Sequence, residues 1–379
     1  MRLYDMIKRE FSVLIRQPIL IVVLFCGPIF LTLLFGGIYL HDYVEDIPAA
    51  VLDEDNSSMS RYVVSQFDES DRFNVKYYPA SREELKCLID SGKAQIGIYI
   101  PPDFHKDVIS LKSSQVMILV DGSNLVVGNN AYAAAAAIVQ TVAAGTQIKL
   151  LQAKGIAPGQ AEKMAMVFNF NDRMLYDPRL TYMNYLMLGF VAVFLQQVMA
   201  SSAGVSVVSD GAYLAEGNTF LKLASKILAC SVVSISSTFI SLLVVNRYFK
   251  VPVRGNLLTV LLMCTVFVFA VSCPMVVLAS LLKDRLKVYQ MSFMLSLPTF
   301  VSSGYVWPLD QMPVALQVII KALWPLVNFQ RPFADVIFKG VPFYAVSGSI
   351  LQTALYTVLW MPAAVWILKK NYMVRAKKC

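Results

Sequence analysis

The side chains able to do covalent or metal chemistry are few in this chain and wrongly spaced for it. His41 and His105 are the only imidazoles. The six cysteines are Cys26, Cys87, Cys230, Cys264, Cys273 and Cys379, and they contain no C-x-x-C pair. Their spacing offers no zinc-type ligand set. Only Cys87 lies in the polar stretch 41–178, so that stretch closes no internal disulfide. No nucleophile stands beside a general base in any recognisable pattern. The run Asp53-Glu54-Asp55 reads most simply as the solvated end of a strand. No G-x-x-x-x-G-K-[ST] run occurs, so no cluster of amides and lysine can hold nucleotide phosphates. Nothing here catalyses on its own. The polar residues that remain must be read through the apolar framework that carries them.

That framework is extensive. Of 379 residues, 57% are hydrophobic and only 15% charged, against roughly 25% charged in an average soluble domain. The deficit falls in long apolar runs that alternate with charged stretches, the layout of a multi-span membrane protein. The net charge of +8 does not point to nucleic acid. Its lysines and arginines sit at segment ends and tails, as the positive-inside rule requires, and no recognition motif accompanies them.

Residues 1–17 read as an amphipathic helix on the cytoplasmic membrane surface. Leu3, Ile7, Phe11 and Leu14 share one face, while Arg2, Lys8, Arg9, Ser12 and Arg16 fall elsewhere. Basic residues beside an apolar stripe suit an anionic leaflet. The plainer alternative is a charged flank of the first span. Residues 18–40 contain no ionisable side chain, enough to cross a ~30 Å hydrocarbon core. The run exceeds the ~7–15 residues of a signal-peptide core, and no A-x-A site follows, so an uncleaved span is expected.

Five more apolar stretches run at about 181–208, 224–245, 257–282, 288–306 and 349–368. Six spans place both termini on one side. Arg2, Lys8, Arg9 and Arg16 at one end, and Lys369, Lys370, Arg375, Lys377 and Lys378 at the other, put that side in the cytoplasm. Residues 41–178 then face outward. The loop with Lys283, Arg285 and Lys287 agrees; the loop with Arg247, Lys250 and Arg254 does not. Residues 310–345 carry Pro313, Pro325, Pro332 and Pro342 and are too broken to span. They read as re-entrant or interfacial helices on the outer face, with Trp307 and Trp324 at headgroup level.

Residues 41–178 change character. Strands are expected at Ile47–Leu52, Phe73–Tyr78, Ala94–Ile100 and Val116–Val120, with helices at about 57–68, 81–91 and 103–111. Ser81 and Glu84 have capping-box spacing. Strands alternating with helices imply a small α/β domain with a largely parallel sheet. The alanine run Ala133–Ala137 lies in a long helix at 130–154. Asn129, Asn130, Gln140 and Gln147 are costly in lipid, so this helix is expected to belong to the domain rather than to cross the membrane. Pro158–Gly159 should break it, with a short helix near 160–168 after it.

The spans say little about ion coupling. Residues 18–40, 180–209 and 288–309 hold no ionisable group, and Lys222 and Lys226 lie near a span end where they can snorkel. Gln196, Gln197, Ser201, Ser202, Ser234, Ser236 and Ser237 read as bonds between helices. No proton or sodium route is visible, so energy must arrive from outside the bilayer.

With these residues in view, the chain resembles a membrane subunit of the type-2 class of ABC exporters, over nearly its whole length. The stretch Ser303-Gly304-Tyr305-Val306-Trp307-Pro308-Leu309-Asp310-Gln311-Met312-Pro313 is similar to the family's S-G-x-x-x-P-x-x-x-M-P. Pro325 and Asn328 resemble its P-x-x-[NTY] element, and Ile100-Pro101-Pro102-Asp103-Phe104 and Val120-Asp121-Gly122-Ser123-Asn124 its I-P-x-x-F and D-G-S-N turns. The family's E-[KR]-x-x-G-T-x-E-x-L loop docks on the ATPase. Here the corresponding loop is Ala215-Glu216-Gly217-Asn218-Thr219-Phe220-Leu221-Lys222-Leu223, which fits with Asn218 inserted and the basic residue missing. Read without the resemblance, it is a capped turn in which Gly217 ends a helix.

The expectation is therefore a mainly α membrane protein: six transmembrane helices, a large external α/β domain between the first and second, and residues 179–379 as a five-helix domain with a coupling loop near 210–223. The resemblance implies a permease subunit in a bacterial inner membrane that pairs with a second permease, as homo- or heterodimer. It implies an ABC ATPase subunit that holds ATP and magnesium, while this chain binds no cofactor or metal. It also implies contact with membrane lipids and allows a periplasmic adaptor. Glu216, Gly217, Thr219, Phe220, Leu221, Arg9 and Phe11 are the expected coupling residues. Gly304, Pro308, Met312, Pro313 and Asn328 mark the outer segment. A drug-like, lipid-like or amphipathic cargo is expected. The alternative is a membrane-anchored receptor or scaffold whose outer domain binds a partner without transport.

Overall fold

The computed structural model describes residues 3–40, 43–110, 112–165, 173–178 and 181–376. Arg2, His41, Lys377, Lys378, Cys379 and the end of the helix expected near 160–168 lie outside the described residues. The chain is mainly helical with one small sheet, and divides into two units: residues 1–42 with 174–379, and Tyr43–Arg173.

The unit Tyr43–Arg173 holds the sheet. Strands β1 (Ile47–Asp53), β2 (Phe73–Tyr77), β3 (Ile96–Ile100) and β4 (Met117–Val120) lie in the order β2-β1-β3-β4. The first three are parallel and β4 runs antiparallel on β3. Helices α3 (Ser58–Asp68), α4 (Arg82–Asp90) and α5 (Phe104–Ile109) connect them. β3 is buried at every position, as a central parallel strand must be. At the start of α4, Ser81 Oγ accepts the Glu84 N–H at 3.1 Å, while Glu84 Oε2 accepts the Ala80 N–H at 2.7 Å. The box spacing is thus used, with the return bond taken one residue earlier. The turn after β4 is closed by the Ser123 N–H, which donates to Asp121 Oδ1 at 2.9 Å. That bond holds the Asp121 carboxyl below its ordinary range.

Helix α6 (Leu125–Ala153) begins at Asn124, whose Oδ1 accepts from the N–H of Val126 and Val127. Its Ala131, Ala135 and Val142 share a core with Phe67, Phe73 and Ile98. The expected break moves forward. α6 ends before Gly155, and Pro158 instead opens helix α7 (Pro158–Ala165), where its missing N–H costs nothing.

The other unit is a helical bundle. Helix α1 (Leu3–Ile15) precedes α2 (Pro18–Ile38). Then come α8 (Tyr182–Ala215), α9 (Thr219–Arg247), α10 (Leu257–Leu282) and α11 (Arg285–Ser302). After two short helices, α12 (Val314–Leu323) and α13 (Gln330–Ala334), the long α14 runs over Phe343–Ala376. Among the described residues, six helices are long and apolar enough to cross a membrane: α2, α6, α8, α9, α10 and α14. Five of these match expected spans. The set differs from expectation at two places. α6 qualifies by length and composition although it was expected to be a domain helix. The span expected at 288–306 is the 18-residue α11, which does not qualify. Arg285, Lys287 and Gln290 dilute its first turns, and the chain turns away after Ser302.

Of the three basic residues between α9 and α10, the structure gives Arg254 a packing role. The Arg254 guanidinium donates to the Phe338 carbonyl at 2.9 Å, and the Arg254 N–H to the Ile337 carbonyl at 2.7 Å. These carbonyls belong to the π-helical turn Asp335–Lys339. Arg254 is therefore held by backbone acceptors, and its position is set by packing.

Candidate functional site

Helices α8 and α9 are joined by only Glu216, Gly217 and Asn218. The reversal needs one residue at positive φ, and Gly217 supplies it at +65°. Asn218 Oδ1 accepts the Leu221 N–H at 3.2 Å and starts α9. Thr219 is buried, and its hydroxyl donates to the Ala215 carbonyl at 3.2 Å. It staples the hairpin rather than facing outward. Glu216 and Gly217 are exposed, Phe220 is 50% exposed, and Leu221 is half-buried. The tip thus presents one carboxylate and one ring.

Immediately behind the tip lies a buried ionic cluster. Lys226 of α9 is 7% exposed and Glu10 of α1 is 4% exposed. Lys226 Nζ donates to Glu10 Oε2 at 2.9 Å and also to Asp210 Oδ2. Asp210 is the point where α8 departs from helical geometry, with φ −116° and ψ 16°. One residue on, Gly211 lets the Tyr372 ring of α14 pack against the backbone, where a Cβ would lie 2.3 Å from it. Arg9 lies 3.3 Å over the Tyr213 ring, and Lys222 Nζ 3.9 Å from the same ring. Lys222 also donates to the Tyr213 carbonyl at 2.6 Å. Lys226 therefore does not snorkel as expected. Two carboxylates draw it inward, because an ammonium this deep must be paired.

The cluster joins three elements: α1, the bend of α8 and the first turns of α9. Apolar packing adds to it, since Met6 and Leu14 are buried beside Glu10. Met6, Glu10 and Leu14 lie at i, i+4 and i+8, so the inward face of α1 includes a carboxylate. Phe11 is half-buried. The expected coupling residues Arg9, Glu216 and Phe220 thus lie on the α1–α8–α9 junction. Sequence reasoning missed Glu10, Asp210 and Tyr213. Glu10 falling within a helical apolar stripe was the available signal.

Four of the seven span serines and amides bond between helices as expected, and three do not. Gln196 Nε2 donates to Thr299 Oγ1 at 2.7 Å, and Gln197 Nε2 to Ser292 Oγ at 3.2 Å, tying α8 to α11. Ser201 and Ser292 hydroxyls pair at 2.7 Å. Ser237 donates to the Phe25 carbonyl of α2. Ser202, Ser234 and Ser236 bond within their own helices.

The outer-segment residues have structural jobs. Gly304 has φ +85°, and an added Cβ would lie 2.7 Å from Leu309 Cγ. Pro308 and Pro313 precede the 3-10 turn Leu309–Gln311 and α12. The half-buried Met312 gives its carbonyl to Gln317 Nε2 at 2.9 Å. Asn328 ends the 3-10 turn Pro325–Asn328, after which Phe329 stacks on Phe267 at 3.9 Å. Buried Gln330 accepts from Ser303 Oγ at 2.6 Å and donates to the Gly189 carbonyl at 3.3 Å. Tyr185 and Tyr305 stack at 5.2 Å and exchange hydroxyl-to-carbonyl bonds. A cleft of about 600 Å³ opens beside them, walled also by Asp335 and Lys339. Among the described residues, no cluster of three or more His, Cys, Asp or Glu is placed to hold a metal.

Comparison with known proteins fits this architecture. Residues 18–366 match the family model described as ABC-2 family transporter protein. The chain is 23% identical over 375 residues to the probable multidrug ABC transporter permease YbhR of Escherichia coli K12, covering 96% of this chain and 95% of that protein. It is 20% identical over 314 residues to the inner membrane transport permease YhhJ of the same organism, covering 79% of each.

Proposed function

The chain belongs to the ABC-2 transporter family, and from that membership we propose that it is one of two permeases in an exporter driven by a separate ATPase. It is a membrane-embedded transport subunit rather than an enzyme, and the family in general pairs its permeases and couples them to an ATPase. The direction is outward across a bacterial inner membrane, with both termini cytoplasmic and residues 43–173 external. ATP and magnesium sit on the partner subunit, this chain binding neither. The relatives named as a multidrug permease and an inner membrane permease favour that placement and a drug-like or amphipathic cargo.

One observation carries the coupling part of this reading: the exposed α8–α9 tip is tied directly to α1 by Glu10, Lys226 and Asp210. ATP-driven closure of the ATPases displaces the tip at Glu216 and Phe220. The three-residue connection is too short to absorb that displacement, so it reaches the bend at Asp210 and tilts α8. The ATPase shifts this equilibrium only by contacting the tip differently in its two states. The deciding experiment replaces Glu216 by Lys and measures co-purification with the ATPase and export. Loss of both in a well-inserted variant supports docking at the tip. Retention of both removes Glu216 from the interface and leaves the outward face of α1.

A further inference from the structure

The sheet-bearing unit holds a groove of about 560 Å³ that the transport reading does not use. Its size falls within the roughly 300–1,000 Å³ of small-molecule sites. Met59 and Val63 of α3, Phe104 and Val108 of α5, and Val139 and Val142 of α6 form its walls. Val63, Phe104 and Val142 are buried, so the groove reaches the unit's core. At one rim the chemistry changes abruptly. Lys112, Ser113 and Ser114 follow one another there. Among the described residues, the Lys112 ammonium has no carboxylate partner and neither serine hydroxyl is hydrogen-bonded. This stretch therefore offers one cation and two hydroxyl donors, Thr146 and Gln147 of α6 add uncharged polar groups, and among the described residues no carboxylate lines the groove.

A groove with apolar walls and a cationic, donor-rich rim selects its occupant by charge and by hydrocarbon. We propose that it binds a single-chain anionic amphiphile, such as a fatty acid, with the chain against Val63, Phe104 and Val142 and the head at Lys112–Ser114. The hydrocarbon leaves water against the valines and the phenylalanine. The anionic head meets charge-assisted donors. Any role of this ligand as exported cargo rests on the permease reading above; its binding does not.

The test uses the full chain in lipid nanodiscs, without ATPase. The probe is a medium-chain fatty acid carrying a terminal diazirine, with labelled peptides mapped by mass spectrometry after irradiation. Labelling is expected on the peptides around Phe104–Val116 and Val139–Gln147. Lys112→Glu should lower it about tenfold, equivalent to about 1.4 kcal/mol, without changing labelling of the bilayer helices. Val142→Trp, which fills the groove, should abolish it. Unlabelled fatty acids should compete about fourfold less well for each methylene removed, as about 0.8 kcal/mol per methylene requires. Labelling confined to the bilayer helices overturns the proposal, as does indifference to Lys112→Glu or to chain length. A photo-crosslinker placed at Val139 that yields chain-to-chain adducts overturns it in favour of a second copy as occupant. Because no transport is measured, a failure of export leaves these outcomes untouched.

Discussion

Lys226 reaches Glu10 at 2.9 Å across 216 residues of sequence, closing the first helix of the chain onto the α8–α9 hairpin. Asp210 accepts from the same ammonium. One positive and two negative charges are thereby held together, Lys226 and Glu10 buried and Asp210 half-buried, with Arg9 3.9 Å from Glu10.

Lys226→Met should be strongly destabilising. It leaves Asp210 without its cation and Glu10 with only Arg9 at 3.9 Å, and breaking a buried pair costs about 3–5 kcal/mol. Adding Glu10→Gln should recover part of the loss, because the buried negative charge beside Asp210 is then gone. Thermal unfolding of the purified protein in nanodiscs measures both. An unchanged midpoint in the single variant would mean that the cluster is solvated and contributes nothing.

Glu216→Lys should separate coupling from stability. Glu216 is exposed and has no ion-pair partner among the described residues, so reversing its charge should change stability by no more than about 0.5 kcal/mol. An interface charge reversed against the ATPase costs several kcal/mol. Equal abundance with lost co-purification is the expected outcome.

Gly304→Ala should lower abundance and accelerate proteolysis, by about 1–3 kcal/mol of strain at φ +85° and by collision with Leu309. Gly122→Ala is the matched control, because a Cβ there meets nothing and the φ is not positive. If the two variants behave alike, the turn after α11 is not the constraint described.

Cys87 offers a native test of sidedness. It is exposed on α4 in the sheet-bearing unit. A membrane-impermeant maleimide added to intact spheroplasts should label it without prior lysis. Labelling only after the membrane is broken would invert the proposed topology.

The fragment 43–173 should fold by itself and stay in solution with mixed helix and strand in circular dichroism. It forms a compact unit of its own, and α6 contributes Ala131, Ala135 and Val142 to its core. Partition into detergent would show instead that α6 belongs in the bilayer, as its length and composition allow.

Local signals were readable in the sequence, and long-range ones were not. The four strands were visible because buried apolar residues repeat between turn residues, and Ser81 marked a helix start by spacing alone. Gly217 marked the α8–α9 reversal for the same reason. The Glu10–Lys226–Asp210 cluster was hidden because its members come from three helices, and each taken alone is a charged residue near a span end. Arg254 read as a topological anomaly because its partners are carbonyls, which carry no sequence signature. The helix α11 was misjudged in extent: the apolar run continues to Val306, but α11 ends at Ser302 and the chain turns at Gly304, whose φ is +85°.

The Arg254 tie also sets an order of assembly. Its acceptor Phe338 is synthesised 84 residues later. At about 5–20 residues per second, that leaves a lag of roughly 4–17 s on the ribosome. Throughout that interval the α9–α10 loop is complete while the carbonyls that will hold it do not yet exist. The loop must therefore wait in water, with Arg254 hydrated, and shed that hydration only when the π-helical turn arrives. A chain truncated after α11 would carry an unlatched hairpin, with Arg254 lacking the Ile337 and Phe338 carbonyls that hold it in the full chain.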